Sequence, residues 1–238
     1  MKYQAWPEGG PLAENMNKTL QKLKENIGDD RGITHTYVCK SFVKKPGDSS
    51  NSFYQDGCTP NFEGGLLTYT ACRRDIQARN TAEDWKGQWL AGFTSKKRQG
   101  DYYLAFLMKF SEAYESFTDI WENLDSSIRS AKNACFHRLG DLYEPKFEGL
   151  ELKWDPRYYH PPVKGHVHLK KNTWYKDINY FHKTWNRRSC QLIGDLDNSY
   201  LWNEPLIRRC HPFSSPRAGK RYKDLKDFTK DLCTSVIP

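Results

Sequence analysis

Two apolar runs in the middle of the chain set the strongest constraint on its fold. Gln88-Trp89-Leu90-Ala91-Gly92-Phe93 and Tyr102-Tyr103-Leu104-Ala105-Phe106-Leu107-Met108-Lys109-Phe110 are rich in aromatic and aliphatic residues, and the polar, basic segment 94–101 joins them. That pattern predicts two strands and a hairpin loop. Further strands are expected over 34–43, closed by a Pro46-Gly47-Asp48 turn, over 66–71, and over 190–194 ahead of an Asp195-Leu196-Asp197-Asn198 turn.

Helices are expected at the periphery. Leu12, Met16, Leu20, Leu23 and Ile27 recur at helical spacing before Gly28, which predicts one amphipathic helix with an apolar face for the main domain or a protein partner. Ser116-Phe117-Thr118-Asp119 has the capping-box pattern and opens a short helix through Ile120, Trp121 and Leu124. Prolines at 145, 156, 161 and 162 make 125–184 loop-rich. A last helix is expected over 222–232, with Tyr222, Leu225, Phe228 and Leu232 on one face. The sum is an α+β chain with a mixed, mainly antiparallel sheet and peripheral helices. The expected segments are an N-terminal helical appendage (1–30), a core domain (31–207) and a basic C-terminal helical tail (208–238).

Composition narrows the class. Only 37% of the 238 residues are hydrophobic, yet 14% are aromatic. Disordered chains are poor in aromatics, so simple disorder is excluded. No apolar run approaches the ~18 residues of a membrane span. The seven cysteines are odd in number, scattered and without a CxxC pair. With no signal-peptide pattern at the N-terminus, reduced thiols in a cytoplasmic protein are the expectation.

The net charge is +8, and eight basic residues oppose three acids between Arg208 and Asp231. A basic patch near aromatic rings suits nucleic acid or a nucleotide, because phosphate contacts release counterions and bases stack on rings. A solvated helix face is the alternative for this tail.

The densest chemistry lies in Tyr54-Gln55-Asp56-Gly57-Cys58-Thr59-Pro60-Asn61-Phe62-Glu63-Gly64-Gly65 and the strand ending at Cys72-Arg73-Arg74. Arg73 and Arg74 would favour a Cys72 thiolate or hold a phosphate; a plain buried cysteine is the alternative. Asp141, in Gly140-Asp141-Leu142-Tyr143, could read a base edge, act as a general base or cap local backbone. His160, His166 and His168, with Asp155 or Asp177, are the only metal candidates, and their spacing matches no metal signature. No P-loop, Rossmann glycine motif, HExxH or GxSxG occurs, and no cofactor is indicated.

These motifs fall in an order that resembles a known family. Tyr54-x-Asp56-Gly57-x-x-Pro60-Asn61, Gly65-x-x-Thr68, Cys72-Arg73, Ile76, Arg79, Gly87-Gln88-Trp89-x-x-Gly92-Phe93 and Gly140-Asp141-x-Tyr143 are similar to the pattern of the nucleotide modification associated domain family, second type, over about residues 36 to 205. Arg73-Arg74 stands where that family has Lys-Pro after the cysteine, Gln88 where it has an acid, and Leu142 where it has an asparagine. The resemblance implies a prokaryotic or phage-related protein linked to DNA base modification. The Gly87-x-Trp89 strand entry also looks like small barrels of the PUA, ASCH and EVE type, which take a flipped base into an aromatic pocket.

The leading expectation is recognition of a modified base or nucleotide. Tyr54 and Trp89 would stack, with Trp85 nearby, Asp56 and Asp141 would read polar edges, and Arg73 and Arg79 would hold phosphate. An enzyme using Cys72 or Asp141 is the second expectation. The third is an interaction component of an anti-phage defence system, docked through its N-terminal helix.

Overall fold

The computed structural model describes residues 3–44, 51–96, 101–166, 173–213 and 219–235. The Pro46-Gly47-Asp48 turn and His168 lie outside them. In chain order the strands are β1 (Thr34–Val38), β2 (Phe42–Val43), β3 (Tyr54–Gln55), β4 (Thr68–Tyr69), β5 (Trp89–Phe93), β6 (Leu104–Tyr114), β7 (Phe181–His182), β8 (Arg187–Arg188), β9 (Gln191–Leu201), β10 (Ile207–Arg209), β11 (Arg221–Tyr222) and β12 (Leu232–Thr234). The main sheet has the order β11-β1-β5-β6-β9-β4. Thr34 to Val38 pair in parallel with Trp89 to Phe93, whereas β1–β11, β5–β6 and β4–β9 are antiparallel. The fold is therefore α+β with a mixed, mainly antiparallel sheet. Among the described residues the sheet order is open, ending at β11 and β4.

The chain divides into two compact units, which run across the three expected segments. The first comprises Met1–Pro7, Gly57–Lys86 and Ser111–Gly194; the second comprises Glu8–Asp56, Gly87–Phe110 and Asp195–Pro238. Each has its own apolar core.

In the second unit the core gathers Trp89, Phe93, Leu104, Leu107, Trp202, Leu225 and Phe228. The expected single N-terminal helix is two helices, Gly10–Glu14 and Leu20–Ile27. Asn17 between them has a left-handed φ of 51°, which interrupts the helix, and the Thr19 side chain caps the second one by accepting from Lys22 N. Leu20, Leu23 and Ile27 belong to the unit's core, so the apolar face proposed for a partner is already covered. Each such side chain contributes about 1.5–3 kcal/mol when fully buried.

The expected 34–43 strand breaks after Val38, and β2 pairs instead with β3. The expected turn at 195–198 is instead part of the continuous strand β9, where Asp195 Oδ1 accepts from the Asp197 and Asn198 main-chain N–H groups. The last helix is only Leu225–Lys230, started by an Asp224 cap, since Tyr222 and Leu232 lie on strands.

Cys210 and Cys233 form a disulfide beside the β10–β12 pair. The expectation of seven reduced thiols is corrected at these two positions; the other five cysteines are in no disulfide. The tail's cations are largely ion-paired: Arg209 and Lys220 to Asp231, Lys223 and Lys230 to Asp227, and Arg208 to Asp101. Much of its positive charge thus serves the unit's own structure.

The first unit packs Cys58, Leu66, Phe117, Ile120, Leu142, Tyr143, Tyr159 and Ile193 together. The Ser116 hydroxyl caps the Phe117–Asn123 helix by accepting from Asp119 N, as the capping pattern predicts. The 125–184 stretch is less loop-like than its prolines suggest. It contains the Ser126–Lys132 and Tyr175–Ile178 helices and the strand β7, which pairs with β8 just beyond it, all clear of those prolines. Among the described residues no helix is long and apolar enough to cross a membrane.

Candidate functional site

The first unit holds a sealed polar cluster built from the sequence motifs. Lys132, at the end of its helix, is fully buried and donates to Asn61 Oδ1 at 2.8 Å, Asn61 O at 3.1 Å and Leu66 O at 2.7 Å. Three donors meet three acceptors, which satisfies an ammonium group. Burial still pulls its pKa down to about 8, against the raising effect of Asp141 and Glu63.

Asp141 Oδ2 accepts from Thr68 Oγ1 at 2.8 Å and lies 2.6 Å from Thr70 Oγ1. Burial holds this carboxyl above its ordinary range, opposed by the Lys132 charge and the two threonines. Gly140 is required here, since a Cβ would stand 2.5 Å from Lys132 O and 2.7 Å from Ala134 N. The Pro-Asn, Gly-x-x-Thr and Gly-Asp-x-Tyr motifs therefore converge, but on a solvent-free hub. Asp141 has no exposed surface, so in this arrangement it does not meet a ligand.

A second chain of polar contacts starts one motif position later. Tyr143 Oη donates to Asp177 Oδ2 at 3.1 Å and lies 3.3 Å from His166 Nε2, and Arg74 Nε lies 3.1 Å from Asp177 Oδ1. Desolvation drives the Tyr143 phenol pKa well upward, reinforced by the Asp177 charge. Cys72 Sγ is 3.7 Å from Cys58 Sγ, with Cys58 buried and Cys72 half-buried. Arg73 is committed to Asp75 through both Nε and Nη2, and Cys72 and Arg73 are consecutive left-handed residues, with φ of 61° and 45°.

The remaining expected site residues scatter. Tyr54, Asp56 and Trp89 belong to the second unit, whereas Cys72, Arg73, Arg79 and Asp141 belong to the first. Trp89 was expected to stack on a base and is instead a fully buried core ring, with its Nε1 donating to Asp30 Oδ1 at 2.9 Å. Gly32 makes that docking possible, because a Cβ there would meet Trp89 Cδ1 at 2.6 Å. Trp85 is likewise sealed, with Nε1 donating to Gln77 O at 3.0 Å. Tyr54 pairs through its backbone with Val43, and Asp56 N donates to Ser41 O. His166 Nδ1 lies 3.1 Å from Arg138 O, and His160 is exposed. Among the described residues no three His, Cys, Asp or Glu side chains converge as a metal site.

An open feature of the first unit was not anticipated from the sequence. A cleft of about 290 Å³ is walled by Trp154, Phe181, Arg187, Arg188, Glu115 and Cys190. The Arg188 guanidinium lies over two rings, 4.7 Å from the Trp154 centroid and 5.9 Å from that of Phe181. Trp154 is positioned by its Nε1 donating to Glu115 O. Desolvation lowers the Arg188 pKa and pushes the Cys190 thiol up to about 12, so Cys190 is a neutral wall residue.

Among the described residues neither Arg187 nor Arg188 makes an ion pair. The cleft thus combines stacking faces with two guanidinium groups that make no direct ion pair, with the Glu115 carboxylate also on its wall. The interleaving Phe181-His182-Lys183-Thr184-Trp185-Asn186-Arg187-Arg188 is the signal that marks it in the sequence. Of the expected site residues Arg79 borders this region, its carbonyl lying 3.5 Å from Arg187 Nη1. No protein-family model, curated protein or solved structure matches the chain.

Proposed function

We propose that the first unit binds nucleic acid or a nucleotide by taking a base into the Trp154–Phe181 cleft. The observation that carries this reading is Arg188, a cation that lies over two aromatic rings and, among the described residues, makes no ion pair. A base entering the cleft takes the guanidinium's place on these faces, and the displaced Arg188, together with Arg187, meets its phosphate. Glu115 and Asn80, which also line the cleft, supply polar groups for reading an edge.

The resemblance to the nucleotide modification associated family directs the choice of ligand toward a modified base in prokaryotic or phage DNA, with a cytoplasmic setting. A closed PUA-like barrel is not needed for this reading. Cys72 remains the candidate reactive group if the protein is an enzyme, because the residue is only half-buried while Asp141 is sealed. No contact supports docking of a defence partner on the N-terminal helix.

The test is titration of labelled oligonucleotides, modified and unmodified, against the wild type, Trp154→Ala and Arg188→Ala. Stacking contributes about 1–3 kcal/mol per base, so Trp154→Ala should weaken binding by roughly five- to 150-fold. Arg188→Ala should weaken it and reduce the slope of log affinity against log salt by about one. Affinity unchanged in both variants would remove the cleft as the site, and equal affinity across modifications would remove the modified base as the ligand.

A further inference from the structure

We infer that the β7–β8 hairpin carries a second stacking platform beside the cleft, so that the ligand is a single strand of several linked nucleotides. This rests on the cleft reading and extends it. The hairpin register pairs Phe181 with Arg188 and His182 with Arg187. Cross-strand partners share a face and successive residues face opposite ways. Phe181 and Arg188 therefore serve the cleft with Trp154, and His182 starts on the other side, while its long partner Arg187 spans both, reaching the cleft wall and the Trp185 carbonyl.

On that side the rings continue. His182 stacks on Trp185 at 3.8 Å with 20° between planes, and Tyr180 meets His182 edge-on at 6.2 Å. Cations cap both ends of this row: the Arg79 guanidinium is 6.0 Å from the Trp185 centroid and that of Arg74 is 5.1 Å from Tyr180. Arg74 is held from behind by Asp177, and Trp185 is 37% exposed.

The row has the composition of a single-strand surface, with aromatic faces for bases and guanidinium groups for phosphates. Phe181 and Trp185 are four residues apart, at most about 14 Å along a fully extended chain, a span that a few linked nucleotides cover. Among the described residues Lys183 on the connecting loop, like Arg187 and Arg188, makes no ion pair. An isolated nucleotide fills the cleft and leaves this row unused. A duplex is disfavoured because its bases present no open faces.

The experiment compares thymidine monophosphate, tetrathymidylate, octathymidylate and octauridylate on the full chain, with polyglutamate as a competitor. Wild type should bind the octamers at least tenfold more tightly than the monophosphate. Trp185→Ala should lose most of that gain while its affinity for the monophosphate stays within twofold, and Trp185→Phe should restore it. Trp154→Ala should weaken every ligand.

Monophosphate binding that depends on Trp154, with no gain in length or with a full gain in Trp185→Ala, overturns the second platform and leaves the cleft standing. Competition by polyglutamate as strong as by octathymidylate overturns nucleic acid as the ligand. Absence of binding at every length, and of the modified oligonucleotides as well, overturns both readings. Circular dichroism of each variant separates lost binding from lost fold.

Discussion

Lys132 Nζ lies 2.8 Å from Asn61 Oδ1, and neither side chain reaches solvent. One ammonium group thereby ties the end of a helix to the Pro60-Asn61 loop and to the Leu66 carbonyl. Replacing it with an apolar chain takes the donor from the Leu66 carbonyl, leaves Asn61 O and Oδ1 with only Thr68 and Glu63 N, and strips Asp141 of its counter-charge. Lys132→Met should cost about 3–5 kcal/mol, the range for breaking one side of a buried polar pair. Adding Asp141→Asn should recover part of that, and urea denaturation of the four species checks both. A loss below about 1 kcal/mol would mean that the hub is dispensable.

The C-terminal segment gives a pH dependence with a definite sign. Tyr222, Lys220 and Arg209 all donate to Asp231 and lower its pKa to about 2 despite partial burial. The folded value lies below the unfolded one, so the stability contributed is complete above the ordinary carboxylate range and is lost as pH falls from there through about 2. Asp231→Asn should abolish this portion of the acid sensitivity. Thermal melts between pH 2 and 6 for the two proteins should converge at the acid end and separate above it.

The Cys210–Cys233 bond closes a segment of sequence separation 23. In the chain-entropy description a loop of that size is worth about 3 kcal/mol. A reductant should lower the Tm of the wild type and leave the Cys210→Ser/Cys233→Ser variant unmoved. Identical melts with and without reductant in the wild type would show that the bond is not made.

Two glycines offer a matched pair of substitutions. A Cβ at Gly140 meets main-chain atoms of Lys132 and Ala134 below 3.0 Å, whereas Gly149, with φ of 64°, has open space around it. Gly149→Ala should cost about 1–2 kcal/mol from the left-handed conformation alone. Gly140→Ala should cost more, because backbone cannot give way as a flexible side chain can. A reversal of that order would place the constraint in conformation and not in close approach.

The hairpin of β5 and β6, the Ser116 cap and the apolar face at Leu20, Leu23 and Ile27 were readable because each is encoded by neighbours in sequence. The Asn17 interruption, the continuity of β9 through Asp195 and the pairing of β2 with β3 depend on contacts that local propensity does not carry. Asp141 and Cys72 were picked out by motif. Yet Asp141 proves to be part of a sealed hub, since spacing reports which residues recur and not which remain wet. Trp89 shows the same limit: an aromatic at a strand entry suits a base pocket and a core equally well, and Asp30 decides. Trp154 and Phe181 went unnoticed because they lie in a proline-punctuated stretch, where their meeting is set by tertiary packing.

The fastening of Trp89 by Asp30 also divides the protein's eight tryptophans into two optical populations. Trp85, Trp89 and Trp202 are shut away from water, whereas Trp185 and, in part, Trp6, Trp121, Trp154 and Trp174 are not. Emission from the sealed indoles stays blue-shifted and indifferent to iodide, while the hairpin and cleft rings contribute a quenchable, redder component. The chain therefore carries an internal reference and an internal reporter at once, and a ligand stacking on the cleft or hairpin dims the second without touching the first.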